Sequence, residues 1–283
     1  MATQKETPRY GGRALRNGVM MVGPKAVAVA VRRPDGEIAT AIEPFTMPGA
    51  WAKDIPFVRG LVSFGGMLQL SRIATKLENQ LNGGKGKAGN LLPQLAPGIG
   101  AAIADAVTRQ AAQRAGGRMV VPIEAVGGVA LPFVAFGVSG QMPGVRELWR
   151  YHGAEHKAVN AAESGLDLTA ENAATMSRVH PRCGTVFAFW GILGSMLTRS
   201  YVNRISSPRG KMIASAVASP VVLATAYEAV RLGASLKDNP IGKAVFGPAW
   251  QSQRMTTSEP GPEELEVACA SLQAVIDFEE AHA

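Results

Sequence analysis

Apolar positions first cluster in two short stretches near the N-terminus. Lys25 to Arg32 is an unbroken valine–alanine run between two charges, and Glu37 to Glu43 alternates apolar and polar residues with period two. Between them, Pro34-Asp35-Gly36 supplies a turn, because proline sets φ and glycine accepts positive φ. Residues 18–43 therefore predict strand structure folded as a β-hairpin. From Val58 to Leu81 the period changes. Leu61, Val62, Leu68, Ile73, Leu77 and Leu81 recur at near-helical spacing, while Arg59, Arg72, Lys76 and Glu78 fall off the stripe. This predicts an amphipathic helix that packs on the hairpin or lies on a bilayer surface. Asn82-Gly83-Gly84 stops it, and Lys85 to Gly89 reads as a flexible linker.

Three later segments are candidates for entering a membrane. Met119–Val138 carries only Glu124 and Pro132 against it; Val186–Leu197 is apolar but too short to cross alone; Met212–Ala234 is long enough and contains Pro220, Glu228 and Arg231. None is a clean span, and core helices of a soluble α-rich domain are the alternative. The glycine- and alanine-rich composition and the basic connecting residues favour the membrane. Arg199, Arg204, Arg209 and Lys211 crowd one loop without an acidic neighbour, which places that loop, and the basic first 118 residues, on the cytoplasmic side. The number of crossings stays open. Pro262–Glu280 predicts a further amphipathic helix, with Leu265, Ala268, Leu272 and Ile276 on one face and an acidic first turn suited to the helix dipole. The polar stretch Gln253–Pro260 before it has no evident purpose.

The expected class is thus α+β: a hairpin-and-helix module over 1–82, a linker with a weakly apolar segment over 83–118, and a mainly helical, membrane-associated region over 119–283. Composition agrees. Hydrophobic residues make up 47% and charged residues 18% of 283, against about 25% charged in ordinary soluble domains, which excludes disorder and collagen-like repeats. Two cysteines, Cys183 and Cys269, cannot build a disulfide framework and suit a reducing compartment. Residues Met1 to Arg16 contain no apolar core of a secretory signal. The net charge of +7 is scattered, without basic runs interleaved with aromatics, so no nucleic-acid partner is expected.

The chemistry concentrates in residues 151–184. Three of the four histidines fall there. His152, Glu155 and His156 stand at i, i+3 and i+4, one face of a helix. Two histidines four apart can grip one metal ion, with the glutamate as a further ligand or a base. His180 and Cys183, separated by Pro181 and Arg182, form a compact turn that offers a ring nitrogen and a thiolate. Together, three nitrogens and a sulfur suit zinc. Residues 157–179 read as the end of the first helix, a stop at Gly165, and a short helix from Ala170 capped by Thr169; Thr185 would cap the apolar helix after Cys183. Four protein ligands would make the metal structural, whereas a ligand released to substrate, or Glu155 activating water, would make it catalytic. Arg182 is a candidate clamp for an anionic substrate or an ordinary ion-pair partner. Glu124 and Glu228 are carboxylates within apolar segments, hence functional candidates or partners of a nearby arginine such as Arg231.

Tyr151 to Lys157, His180 to Thr185, Gly18 to Met21 with Gly23-Pro24, and Thr256 to Pro260 followed by Glu264 to Ala268 together resemble the YqhQ family, in the same order over nearly the whole chain. Its members are bacterial membrane proteins, with plastid relatives, described as predicted metal-dependent enzymes. The resemblance implies membrane association and a divalent metal, zinc in type, on His152, His156, His180 and Cys183. Asn17 departs from the pattern, since the family usually has a glutamate there. The function expected is a metal-dependent hydrolase at the bacterial cytoplasmic membrane, with Glu155 as general base and a small-molecule or lipid substrate. The rival is a non-catalytic membrane scaffold with a structural metal; transport through Glu124 and Glu228 stands third.

Overall fold

The computed structural model describes residues 10–82 and 92–282. The N-terminal part is an antiparallel meander of four strands, β1 (Gly11–Leu15), β2 (Gly18–Val22), β3 (Ala26–Arg32) and β4 (Ile38–Pro44), in the order 1-2-3-4. The β3–β4 hairpin turns at Gly36, whose φ is +90°. β1 and β2 form a second hairpin that the apolar pattern did not reveal. Its two-residue turn puts Asn17 at φ 59°, a left-handed position that asparagine tolerates. That backbone role accounts for Asn17.

β3 is apolar throughout because both of its faces are covered. Val27, Val29 and Val31 pack against Leu70, Ala74 and Leu77 of α1 (Val58–Leu81). Ala26, Ala28 and Ala30 meet the opposite layer, α4 (Pro143–Glu163) and α9 (Pro262–Ala281), through Ala154, Ala158, Leu265, Ala268 and Leu272. The alanines let α9 come close enough for Ser271 Oγ to donate to the Ala28 carbonyl at 3.2 Å. A sheet made from the first strands is therefore sealed by the last helix.

The remaining helices are α2 (Leu92–Ala115), α3 (Val120–Ser139), the one-turn α5 (Ala170–Ala174), α6 (Gly184–Val202), α7 (Pro208–Ser235) and α8 (Pro240–Ser252). α2 lies along α3, α6 along α7, and α1 against α7. The proposed linker Lys85–Gly89 lies outside the described residues. α1 divides its apolar residues: its C-terminal half faces the sheet, while Leu61, Phe64 and Leu68 of the other half are exposed. Among the described residues, one helix, α7, is by itself long and apolar enough to span, with 17% of its most apolar window buried. Val126–Ser139 of α3, again among the described residues, meets that test jointly with α4, from which it is bent by 103°. α4 itself packs on the sheet beside α9, so it belongs to the interior.

Candidate metal centre

Helical spacing aligns His152, Glu155 and His156 along α4, and packing turns that face inward, leaving Glu155 and His156 buried. Gly165, at φ +72°, ends the chain's course beyond α4, and the Thr169 side chain accepts from the Asn172 amide to start α5, as the sequence suggests. The return segment carries His180 and then Cys183 to the start of α6. Cys183, rather than Thr185, is the cap: its Sγ accepts from the Thr185 amide at 3.3 Å. The polarizable sulfur takes the capping place, and the Thr185 hydroxyl instead meets Thr256 Oγ1 at 3.1 Å.

One ligand atom from each of His152, His156 and Cys183 lies within 4.8 Å of the others. His152 Nε2 stands 3.3 Å from Cys183 Sγ. Each imidazole is oriented from behind. His152 Nδ1 lies 2.9 Å from the Thr256 carbonyl and His156 Nδ1 lies 2.6 Å from the Arg178 carbonyl. A carbonyl only accepts, so both Nδ1 atoms carry hydrogen and both Nε2 atoms are left for the cluster. Glu155 Oε2 sits 4.0 Å from His152 Nε2 and 3.8 Å from His156 Nε2.

Burial pushes both imidazoles toward their neutral form, but the Cys183 sulfur beside them outweighs it and raises both, His156 to about 9. Burial likewise pushes the Cys183 thiol up, and the two histidines pull it well below its ordinary value. The α6 N-terminus favours the same thiolate.

His180 is not part of this group. Its Nε2 faces Glu163 Oε2 at 3.5 Å, and its ring centre is 6.0 Å from that of His156. Its backbone is clamped at both ends by the fully buried Gln253, which accepts from the His180 amide and donates to its carbonyl, each at 2.9 Å. Arg182 also binds Glu163, and donates to the Tyr10 carbonyl at 3.4 Å. Burial raises the Glu163 carboxyl, but His180 and Arg182 together bring it down to about 2. Glu228 is elsewhere. It pairs with Arg59 of α1, not Arg231, and accepts from the Phe57 amide at 3.0 Å, tying α7 to α1. The side chain of Glu124 lies outside the described residues.

The stretch Gln253–Pro260 turns out to be the support of the site. Besides the Thr256 carbonyl and the Gln253 clamp, Ser258 donates its amide to the Trp149 carbonyl at 2.9 Å, and Glu259 pairs with Lys157 at 2.7 Å. It crosses α4 over Gly153, where a Cβ would stand 2.3 Å from the Ser258 carbonyl oxygen. The glycine between His152 and Ala154 was the available signal for that crossing. Beside the cluster lies a cavity of about 730 Å³.

The sheet sealed by a helical layer, with a His-His-Cys cluster beneath it, now has a family. The family described as "Protein of unknown function (DUF1385)" matches residues 55–278, and the chain belongs to it. It is similar to "Uncharacterized protein YqhQ" of Bacillus subtilis (strain 168), 26% identical over 325 residues that cover 99% of this chain and 96% of that protein. No solved structure matches.

Proposed function

We propose that the protein is a membrane-associated, metal-dependent hydrolase whose ion is held by His152, His156 and Cys183. The donor set fits zinc. Donors about 2.0–2.3 Å from a tetrahedral ion stand roughly 3.3–3.8 Å apart, and the His152 Nε2 to Cys183 Sγ separation is 3.3 Å. The observation that carries the reading is the fate of His180. With its ring turned to Glu163, three protein ligands are left beside an open cavity, the pattern of a catalytic rather than a structural zinc. When bound, such an ion acts as a Lewis acid toward a carbonyl or phosphoryl oxygen and lowers the pKa of water.

The chain's own groups supply the rest. Thr256 and Arg178 carbonyls hold the two ring tautomers that leave Nε2 available. In this reading Glu155 takes a proton from attacking water and returns it to the leaving group, a role supported by its burial and its distance of about 4 Å from both rings. Association with the membrane rests on α7, mostly unburied, and on exposed apolar residues of α1 and α7 such as Phe64, Leu68, Met212 and Val217.

The test is elemental analysis of full-length protein purified without a histidine tag, with turnover measured on a panel of activated esters and amides. About one ion per chain is expected in the wild type and in Glu155→Gln, and none in the His152→Ala/His156→Ala double variant; only the wild type turns over. A metal-free wild type prepared under reducing, chelator-free conditions, or Glu155→Gln at full activity, overturns the proposal. The second outcome is the one the scaffold reading requires.

A further inference from the structure

The cavity beside the cluster falls within the roughly 300–1,000 Å³ of small-molecule sites, and its two ends differ in chemistry. One end presents His152, Glu155, His156, Arg182 and Cys183, while Arg13 from β1 lines the wall between that end and α1, donating to Ser71 Oγ at 3.0 Å. The other is lined by Met20, Met67 and Leu70 from the sheet and α1, and Phe136 at the end of α3 adds a further apolar wall. Met67 both lines the cavity and is 55% exposed. The cavity therefore reaches the surface on the outer face of α1, where Phe64 and Leu68 are exposed as well. That face adjoins α7: Gly60 of α1 packs on Tyr227, and Arg59 pairs with Glu228. The mouth thus opens on an apolar surface beside the helix that is long enough to cross a bilayer.

Charge and size narrow the ligand further. Arg182 is paired with Glu163, and over the lining as a whole Arg13 balances Glu155, so a divalent ion on one thiolate and two neutral imidazoles would leave the cavity with one net positive charge. At about 30 Å³ per water-sized group, the cavity holds roughly two dozen such groups. This suits one acyl chain with a compact headgroup and is too small for both chains of a phospholipid.

We propose that the site takes an anionic membrane amphiphile, which enters sideways past Met67, seats its headgroup at the His152–Cys183 end and lays one acyl chain along Met20, Leu70 and Phe136. The inference rests on the hydrolase reading for the place where the headgroup ends, and on the cavity alone for the chain. An apolar wall that opens on an apolar face has no use to a water-soluble substrate, whereas it lets a lipid tail pass from bilayer to site without crossing water.

The test is native mass spectrometry of the full chain released from detergent micelles, with lysophosphatidylglycerol, lysophosphatidylcholine and glycerol phosphate as probes and metal content read on the same samples. Wild type should hold one lysophosphatidylglycerol per chain, at least about tenfold more tightly than either other probe. Met67→Glu, at an exposed position on the mouth, should lose that preference, while Leu68→Glu, exposed one residue away but outside the cavity, should keep it. Equal retention of glycerol phosphate points to a soluble anion and overturns the proposal. Equal loss in Met67→Glu and Leu68→Glu reduces the lipid to a coat on the apolar face and overturns it too. A wild type without metal that still shows the Met67-dependent lipid refutes the hydrolase reading while leaving this one standing; a metal-loaded chain that ignores the lysolipid does the reverse.

Discussion

Replacing Gly153 by alanine sets a methyl carbon 2.3 Å from the Ser258 carbonyl oxygen and 3.3 Å from Pro260 Cδ. Ordinary contact begins at 3.4 Å, so the 256–260 segment must withdraw by about 1 Å, because the atom in the way is backbone and not a movable side-chain tip. Such overpacking costs about 1–3 kcal/mol, against a helix-propensity gain of at most about 1 kcal/mol for the same change. The withdrawal also carries Thr256 away from His152, lengthening a 2.9 Å hydrogen bond beyond useful range. Loss of such an orienting partner weakens a metal site by about 10–100-fold. Two assays read the two effects: the thermal midpoint of the detergent-solubilised chain, which should fall by roughly 2–4 °C per kcal/mol lost, and competition for zinc against a chelator of known affinity. Gly65→Ala is the internal control, since Gly65 lies in α1 with open space at its Cβ position, and it should be neutral or stabilising. If Gly153→Ala matches Gly65→Ala in both assays, the crossing segment does not hold the cluster.

Three further outcomes follow from the same geometry. Because His156 is raised to about 9 while the Cys183 thiol is already depressed, an incoming ion has to displace a ring proton. Zinc affinity should climb about tenfold per pH unit from pH 7 toward 9 and then level off; calorimetry in buffers of different ionisation enthalpy should count about one proton released per ion, and a flat profile from pH 6 to 8 refutes the pairing. In the metal-free chain the His156 contribution to stability has the opposite sense, fully present below about pH 6.5 and lost as pH rises through about 9. Gln253→Leu strands the His180 amide and carbonyl without partners in a buried place; at about 1–3 kcal/mol per group, urea unfolding should show a loss of roughly 2–5 kcal/mol, and a loss under 1 kcal/mol would mean that the clamp is dispensable.

What the sequence disclosed is local, and what it concealed is distant. Thr169 capping α5, the stop at Gly165, the Gly36 turn and the shared face of His152 and His156 all depend on neighbours within four residues, where turn chemistry and helical period operate. β1 escaped notice because Gly11 to Leu15 is too short and too glycine-rich to show alternation. The Arg59–Glu228 pair links residues 169 apart, and the Gln253 clamp bridges 73, separations on which no periodicity bears. His180 illustrates the point most sharply. Its spacing from Cys183 invites a shared ligand role, yet Glu163, at the far end of α4, claims its ring.

The sheet sealed by α9 has a temporal consequence. Strands β1 to β4 are synthesised before every helix, but the Ala26, Ala28 and Ala30 face, partly covered by α4, is not closed until residues 262–281 leave the ribosome. The same final stretch of chain delivers Gln253 and Thr256 just ahead of that helix. Assembly of the cluster therefore follows the synthesis of α1 through α8, which have by then met whatever membrane they meet. A prematurely terminated chain would own every histidine and cysteine of the site and still lack the fold that aims them.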